Sequence, residues 1–413
     1  MSKSFDLILW GATGFTGQRV ADYLARAAAH TPFRWALAGR NLPKLESLRH
    51  NLAARHPTAA DLPLLTADSH DPASLATLVQ QTRVVISTVG PYALHGTPLV
   101  AACVEHGVDY CDLTGEVQWI KQMVDTYHDR ATETGARIVH ACGFDSVPSD
   151  LGAFMLQQHA LATYGRPCQE INYYLAGTRG GFSGGTIASL LNVLAAASKD
   201  PAIRRAVANP FSLTPENPTG QRVPDQRSAR WDADLRRWTG PFFMAAINTR
   251  IVRRTNYLLN YAYGRDFRYH ESMRFPAGPL GWLSASAFSA GFGAFVGLAS
   301  VAPTRALLTR FILPAPGQGP SAEAIERGYF KIILIGKLPV TADQPAAQIH
   351  GEVVGPSDPG YGETAKMLAE AALCLAFDRA ITRTEGGVLT PAAALGNALL
   401  QRLRAAGMTF AIT

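Results

Sequence analysis

Phe5-Asp-Leu-Ile-Leu-Trp10 leads straight into Gly11-Ala-Thr-Gly14-Phe-Thr-Gly17, and the reading of this junction decides the fold. An apolar run of strand length delivers the backbone into a glycine turn, and a helix-like segment, residues 18–29, follows. In such a unit Gly11 makes the turn, Gly14 permits a close approach and Gly17 gives a small contact. A pyrophosphate can then rest on the helix N-terminus, where free N–H groups and the helix dipole favour anions. Gly11, Thr13, Gly14, Phe15, Thr16 and Gly17 are therefore candidate dinucleotide contacts. The spacing is G-x-x-G-x-x-G, not G-x-G-x-x-G, and a glycine-rich turn that binds nothing is the plain alternative.

Outward from this junction, residues 1–147 alternate short apolar runs with helical stretches, the pattern of a parallel sheet covered on both faces. Strands are predicted at 6–10, 35–38, 62–66, 84–88, 110–113 and 137–141, and helices at 18–29, 42–55, 72–81, 97–105 and 117–134. Pro72 suits a helix start and Gly135 a helix stop. Six strands in this rhythm make an N-terminal Rossmann dinucleotide-binding domain. Beyond Pro148 the grammar changes. A helix at 149–159 and a strand at 170–176 lead to a second glycine cluster at 180–185. Residues 199–241, rich in proline, arginine and asparagine, read as an irregular excursion. Segments 329–336 and 348–354 alternate like antiparallel strands, and helices are predicted at 362–378 and 392–406.

A chain of 413 residues is long enough for two domains, and 47% hydrophobic with 17% charged content describes a folded protein. The formal charge of +6 comes without a lysine-rich tract or a basic-aromatic stripe, so nucleic acid is not an expected partner. Arginines gather between Arg204 and Arg254. Such a cluster can face a phosphate-bearing carrier, an acidic membrane or nucleic acid, and a solvated surface is the simpler reading. The five cysteines form no C-x-x-C and no zinc spacing, so no metal site is expected. They fit reduced thiols in a cytoplasmic protein, with Cys111 and Cys142 as buried, inert groups. Met1-Ser-Lys-Ser enters the first strand almost at once, which agrees with that location.

The end of the second strand discriminates between nicotinamide cofactors, because the adenosine ribose lies over it. Here the chain reads Leu37-Ala-Gly-Arg40-Asn41, with Lys44 one helical turn on and no carboxylate. Arg40 is placed to pair with a 2′-phosphate, so NADP (as NADPH) is expected rather than NAD, unless Arg40 merely caps a surface turn. Asp68 can accept from the adenine amino group or cap a helix. Ser87, Thr88, Val89, Gly90 and Pro91 close the fourth strand where the nicotinamide half belongs, with Tyr92 and His95 facing the crevice.

With these residues, Tyr110-Cys-Asp-Leu-Thr-Gly-Glu116 and Cys142-Gly-Phe-Asp-Ser-Val-Pro-Ser-Asp150 in hand, the chain resembles the saccharopine dehydrogenase-like oxidoreductases. Gly180-Gly-Phe-Ser-Gly-Gly-Thr186 and Gly386-Gly-Val-Leu-Thr-Pro-Ala392 point within them to the trans-acting enoyl reductase branch of bacterial lipid biosynthesis, which includes lipid-droplet-associated animal relatives. The resemblance implies an α/β protein with a Rossmann domain at 1–148 and a second, mixed-sheet α/β domain at 149–385. A C-terminal helix, 386–413, then returns to the first domain. It implies an NADP-dependent enoyl reductase for a lipid- or polyketide-type substrate. Saccharopine-forming enzymes carry Gly-x-Asp-Pro-Gly where this chain has Gly143-Phe-Asp145-Ser-Val, so amino-acid imine reduction is the runner-up.

Reducing an activated double bond requires a positioned acid and donors for the transient enolate. Tyr92, His95 and Asp145 are the candidate acids, although Asp145 can equally cap the helix at 149–159 or hold a turn. Ser183, Gly184, Gly185 and Thr186 precede an apolar helix and can offer N–H groups to a substrate, or serve only a tight strand–helix turn.

Residues 275–304 hold no ionisable side chain, and 280–302 are long enough to cross a hydrocarbon core. A single span would separate residues 305–413 from the first domain, against the expected return of the last helix. A hairpin dipping into one leaflet, a lipid-tunnel wall, a homodimer contact or core burial remain. The expected partners are thus an apolar or carrier-bound acyl substrate and a peripheral contact with the inner face of the plasma membrane. A lipid-associated protein that binds NADP without turnover is a third reading.

Overall fold

Leu7, Ile8, Leu9 and Trp10 are buried without alternation, as a strand covered on both faces requires. The computed structural model describes residues 3–180, 184–220, 223–311, 320–383 and 385–413. Six strands of the first half, β1 (Phe5–Trp10), β2 (Trp35–Gly39), β3 (Leu64–Thr66), β4 (Thr82–Ser87), β5 (Asp109–Asp112) and β6 (Arg137–Val139), pair in parallel. The sixth ends earlier than its apolar run because Ala141 takes φ +61° and turns the chain out of the sheet.

The second half builds a mixed sheet from β7 (Glu170–Arg179), β8 (Arg230–Asp232), β9 (Arg237–Pro241), β10 (Arg268–Arg274), β11 (Tyr329–Leu338) and β12 (Ala347–Gly355). Near the chain end, β13 (Gly387–Leu389) pairs in parallel with β6, and β14 (Thr409–Ile412) pairs antiparallel with β12. The two seven-stranded orders are β13-β6-β5-β4-β1-β2-β3 and β14-β12-β11-β7-β10-β9-β8. The protein is thus an α/β chain with a doubly wound parallel sheet and a second, mixed sheet.

Two helices join the sheets. Val147–Tyr164 is buried along most of its length and packs on β11, β12 and helix Pro391–Ala405. A Cβ on its Gly152 would lie 2.7 Å from Leu334, so glycine sets how closely this helix approaches the mixed sheet. Helix Thr364–Phe377 returns to the first sheet and packs on helix Phe15–His30. There the Tyr23 hydroxyl donates to Glu370 at 2.7 Å, and Arg402 pairs with the same carboxylate at 3.2 Å.

The arginine-rich excursion is more ordered than its composition suggests. It contains helix Pro201–Ala208, capped by Asp200, and strands β8 and β9. The surface reading of the arginine cluster Arg204–Arg254 holds for exposed members such as Arg204 but fails for Arg250, Arg253 and Arg254 of helix Ala245–Leu258, which are buried. Arg254 donates to the carbonyls of Leu213 and Val388, both at 2.6 Å. Arg253 donates to Pro210 and Tyr269 carbonyls at 3.2 and 3.1 Å, and Arg250 pairs with Asp225. A guanidinium fork reaches several segments at once, so these arginines staple the excursion to the core.

A polar seam crosses the same region. The Ser146 hydroxyl donates to Asn248, whose amide donates to Glu271 at 2.9 Å, and the Tyr269 hydroxyl donates to Glu271 at 2.8 Å. Burial pushes the Glu271 carboxyl up to about 7, and burial does the same to Asp150, which accepts from Thr255 and the Ala392 N–H. A folded-state value above the unfolded value of about 4 contributes stability that is full below that pH and lost as pH rises toward about 7. Resistance to denaturant should therefore decrease as pH rises from about 4 to about 7, and Glu271→Gln should flatten part of that slope. Identical slopes for variant and parent would remove Glu271 from this account.

Candidate active site

The first glycine turn is locked from two sides. Gly11 sits at φ +83°, and a Cβ there would lie 2.6 Å from Val89 Cγ2 and 2.8 Å from Thr88 Oγ1. A Cβ on Gly17 would meet the Gly11 carbonyl oxygen at 2.2 Å, so the helix can begin this close to the strand only with glycine. The Thr88 hydroxyl donates to the carbonyls of Trp10 and Gly11 at 3.2 and 3.0 Å, tying the end of β4 to the turn. Gly14 is the exposed N-cap of helix Phe15–His30, which has no side-chain cap and no acidic residue in its first turn. A 16-residue helix thus opens with uncapped N–H groups at the carboxyl edge of a parallel sheet, and a pyrophosphate fits that cradle. The Thr13 carbonyl is held by Gln18, Thr16 lies half-buried in the first turn, and Phe15 packs edge-on against Tyr361 at 4.6 Å.

At the end of β2, Asn41 caps helix Leu42–Ala53 by accepting the Lys44 N–H at 3.0 Å. Arg40 and the Lys44 ammonium are exposed and, among the described residues, make no ion pair or side-chain hydrogen bond. Two free cations at this edge fit a 2′-phosphate, and capping, the plain alternative for Arg40, is the work of Asn41. Asp68 is exposed and accepts the His70 N–H at 2.9 Å, while Asp71 caps helix Pro72–Gln80.

The candidate acids separate. Tyr92 is buried, stacks on Trp119 at 5.5 Å and donates to the Ser87 carbonyl at 3.1 Å, below the Val89-Gly90-Pro91 turn. Burial, with Asp112 nearby, pushes its phenol well above the usual range, so Tyr92 holds its proton and supports the turn from beneath. His95 is half-buried, 5.9 Å from the His70 ring, on the β3 side of the sheet edge. Asp145 lies after β6, half-buried between Gly115 and Gly143, whose added Cβ atoms would stand 3.5 and 3.4 Å from its carboxylate oxygens. Burial, and then the charge of Asp112, pushes its carboxyl up to about 7.

Asp112, His140, Glu116 and Ser189 stand at this edge without a role expected from the sequence. Asp112 is fully buried and accepts from His140 Nδ1 at 2.7 Å, Tyr110 at 3.0 Å, and the N–H groups of Thr114 and Ala141 at 3.1 and 3.2 Å. Glu116, also fully buried, accepts the N–H groups of Tyr92 and Ala93 at 2.8 and 3.0 Å and the Ser189 hydroxyl at 2.9 Å. The only available signal was two carboxylates closing an apolar strand in Tyr110–Glu116, and their partners lie far away in sequence. Ser189 belongs to helix Gly184–Lys199, so the second half of the chain reaches the Gly90 turn through this helix. Gly184, Gly185 and Thr186 form its first turn, and Ser183 lies outside the described residues.

All five cysteines are free and buried, as inert thiols should be. Residues 7–139 match the family described as the saccharopine dehydrogenase NADP binding domain. A Mycobacterium tuberculosis protein (strain ATCC 25618 / H37Rv), provisionally named a trans-acting enoyl reductase, is 44% identical over 423 residues, covering 100% of this chain and 98% of its own. The trans-acting enoyl reductase of Mycobacterium bovis (strain BCG / Pasteur 1173P2) is 38% identical over 425 residues with the same coverage. The fold is similar to that of apo saccharopine dehydrogenase (L-Glu forming) from Saccharomyces cerevisiae, with a TM-score of 0.53, 12% identity, and 99% and 100% of the two chains covered. With its glycine cradle, paired sheets and full-length kinship, the chain belongs to the saccharopine dehydrogenase-like family of NADP-binding oxidoreductases, in the branch of the trans-acting enoyl reductases.

Proposed function

We propose that this protein reduces the activated double bond of an enoyl substrate, a lipid- or polyketide-type acyl group presented on a carrier or as a small molecule, at the expense of NADPH. The observation that carries this reading is the end-to-end identity with relatives bearing the enoyl reductase name. When bound, NADPH supplies a hydride for the β-carbon, and the remaining tasks fall to this chain. Gly11, Gly14 and Gly17 let the pyrophosphate approach the helix Phe15–His30 N-terminus, and Arg40 with Lys44 holds the 2′-phosphate. Asp145 keeps its proton near neutral pH and delivers it to the α-carbon as negative charge develops there. The opening turn of helix Gly184–Lys199 offers backbone donors to the acyl carbonyl oxygen. The amino-acid alternative finds less support, because Arg250, Arg253 and Arg254 are already committed to Asp225 and main-chain carbonyls.

Loss of reduced-nicotinamide absorbance should be seen with 2-enoyl thioesters and not with amino-acid/oxo-acid pairs. The reverse result, or NADPH binding without turnover, overturns the proposal. Arg40→Asp should weaken NADPH binding about 10- to 100-fold, the worth of a charge-assisted contact, with little effect on NADH. Equal loss of both removes the cofactor assignment. Asp145→Asn should lower kcat by about 10²–10⁴. The parent rate should be full at acid pH and fall as pH rises through about 7, because the donor must be protonated. A flat pH profile in that window removes Asp145 as the acid.

A further inference from the structure

Helix Gly278–Ser300 has 23 residues, yet only Gly281, Ala285 and Ala299 among them are buried. Gly281, Ala285 and Ala299 face the protein, and Phe288 packs on Phe275 at 5.7 Å. The wider, opposite arc is open: Leu280 is 78% exposed, Leu283 57% and Leu298 49%, with Ala287, Ala290 and Ala294 between them. A helix on a water-facing surface reserves that arc for charged and polar residues, and this one places none of the charged kind there.

Topology limits what can cover it. β10 and β11 both flank β7, with Met273 beside Leu175 and Tyr329 beside Arg179, so the excursion leaves and returns at one end of one sheet. A crossing would need a second span, and among the described residues the next helix, Ala302–Phe311, with 10 residues and Arg305 inside, reaches about 15 Å against a core of about 30 Å. Charge selects the surface: residues 272–322 carry Arg274, Arg305 and Arg310 and no carboxylate. Trp282, 52% exposed, stands near the start of the helix, where an indole favours a membrane–water boundary.

We propose that helix Gly278–Ser300 is a monotopic membrane contact, with its open arc in the acyl layer of one leaflet of an anionic bilayer and Arg274 and Arg305 at headgroup level. The same helix packs on Gly184–Lys199, the helix whose Ser189 reaches Glu116, so the docked face lies one helix away from the cofactor edge. The proposal rests on exposure, topology and charge, and it stands whether or not the enoyl substrate is correct.

The test is flotation of the full chain with vesicles of phosphatidylcholine alone and of phosphatidylcholine with phosphatidylglycerol. The parent should float with the anionic vesicles and less with the neutral ones. A variant combining Leu280→Asp, Leu283→Asp and Leu298→Asp should partition at least about 100-fold less, because acidic side chains are costly in the acyl layer. Unchanged thermal unfolding and NADPH binding of this variant would establish that it is folded, as expected for three exposed positions. A parent that floats with neither vesicle, or a folded variant that floats as well as the parent, overturns the proposal. So does a parent that is dimeric in buffer, does not float, and becomes monomeric in the variant, since the arc would then belong to a second copy.

Discussion

Asp112 ends β5 with its carboxylate wholly out of water, and four donors converge on it from Tyr110, Thr114, His140 and Ala141. A buried carboxylate is tolerated when its lone pairs are filled, and filling these requires the ends of β5 and β6 to meet at one point. That meeting goes with the left-handed conformation of Ala141 and with the turn that carries Asp145 to the side of Gly115. Thr364 then holds the turn from above by accepting the Phe144 N–H at 3.0 Å. Glu116 repeats the device four residues on, binding the Tyr92 and Ala93 amides and, through Ser189, the helix from the second half. The carboxyl edge of the first sheet is therefore organised by two buried acids that face other protein groups, and a third, Asp145, is left half-buried between glycines.

The same residue type serves opposite ends according to what surrounds it. Arg40 is exposed and free among the described residues, so its charge is available to a ligand. Arg253 and Arg254 are buried, and burial pulls both down to about 10 while their N–H groups satisfy main-chain carbonyls. One helix, Ala245–Leu258, thereby gathers segments as distant as Leu213 and Val388. The seam through Ser146, Asn248 and Glu271 joins the loop after β6 to that helix and to β10, so the mixed sheet and the carboxyl edge of the first sheet share one polar framework.

Three apolar helices of similar composition meet different fates. Thr364–Phe377 is buried against the first sheet, and Gly184–Lys199 lies between the Gly90 turn and helix Gly278–Ser300. Gly278–Ser300 itself turns most of its apolar surface outward. Hydrophobicity alone ranks all three as core candidates, and only their neighbours distinguish them.

Local chemistry determined the first strand, the glycine turn and its helix, because each follows from residues within a few positions: an apolar run, a φ of +83° that suits Gly11, and a helix start that only Gly17 accommodates. The rhythm of six parallel strands and the place of Arg40 at the end of the second were legible for the same reason. Tertiary structure alone decided what depends on partners far along the chain. β13 completes the first sheet beside β6 from some 250 residues away in sequence order, and β14 extends the second. Tyr92 and Asp145 look alike as candidate acids in sequence. Packing sends the Tyr92 hydroxyl down to Ser87 and leaves the Asp145 carboxyl half-buried between Gly115 and Gly143, because burial, hydrogen-bond partners and neighbouring charge are set by distant residues brought into contact.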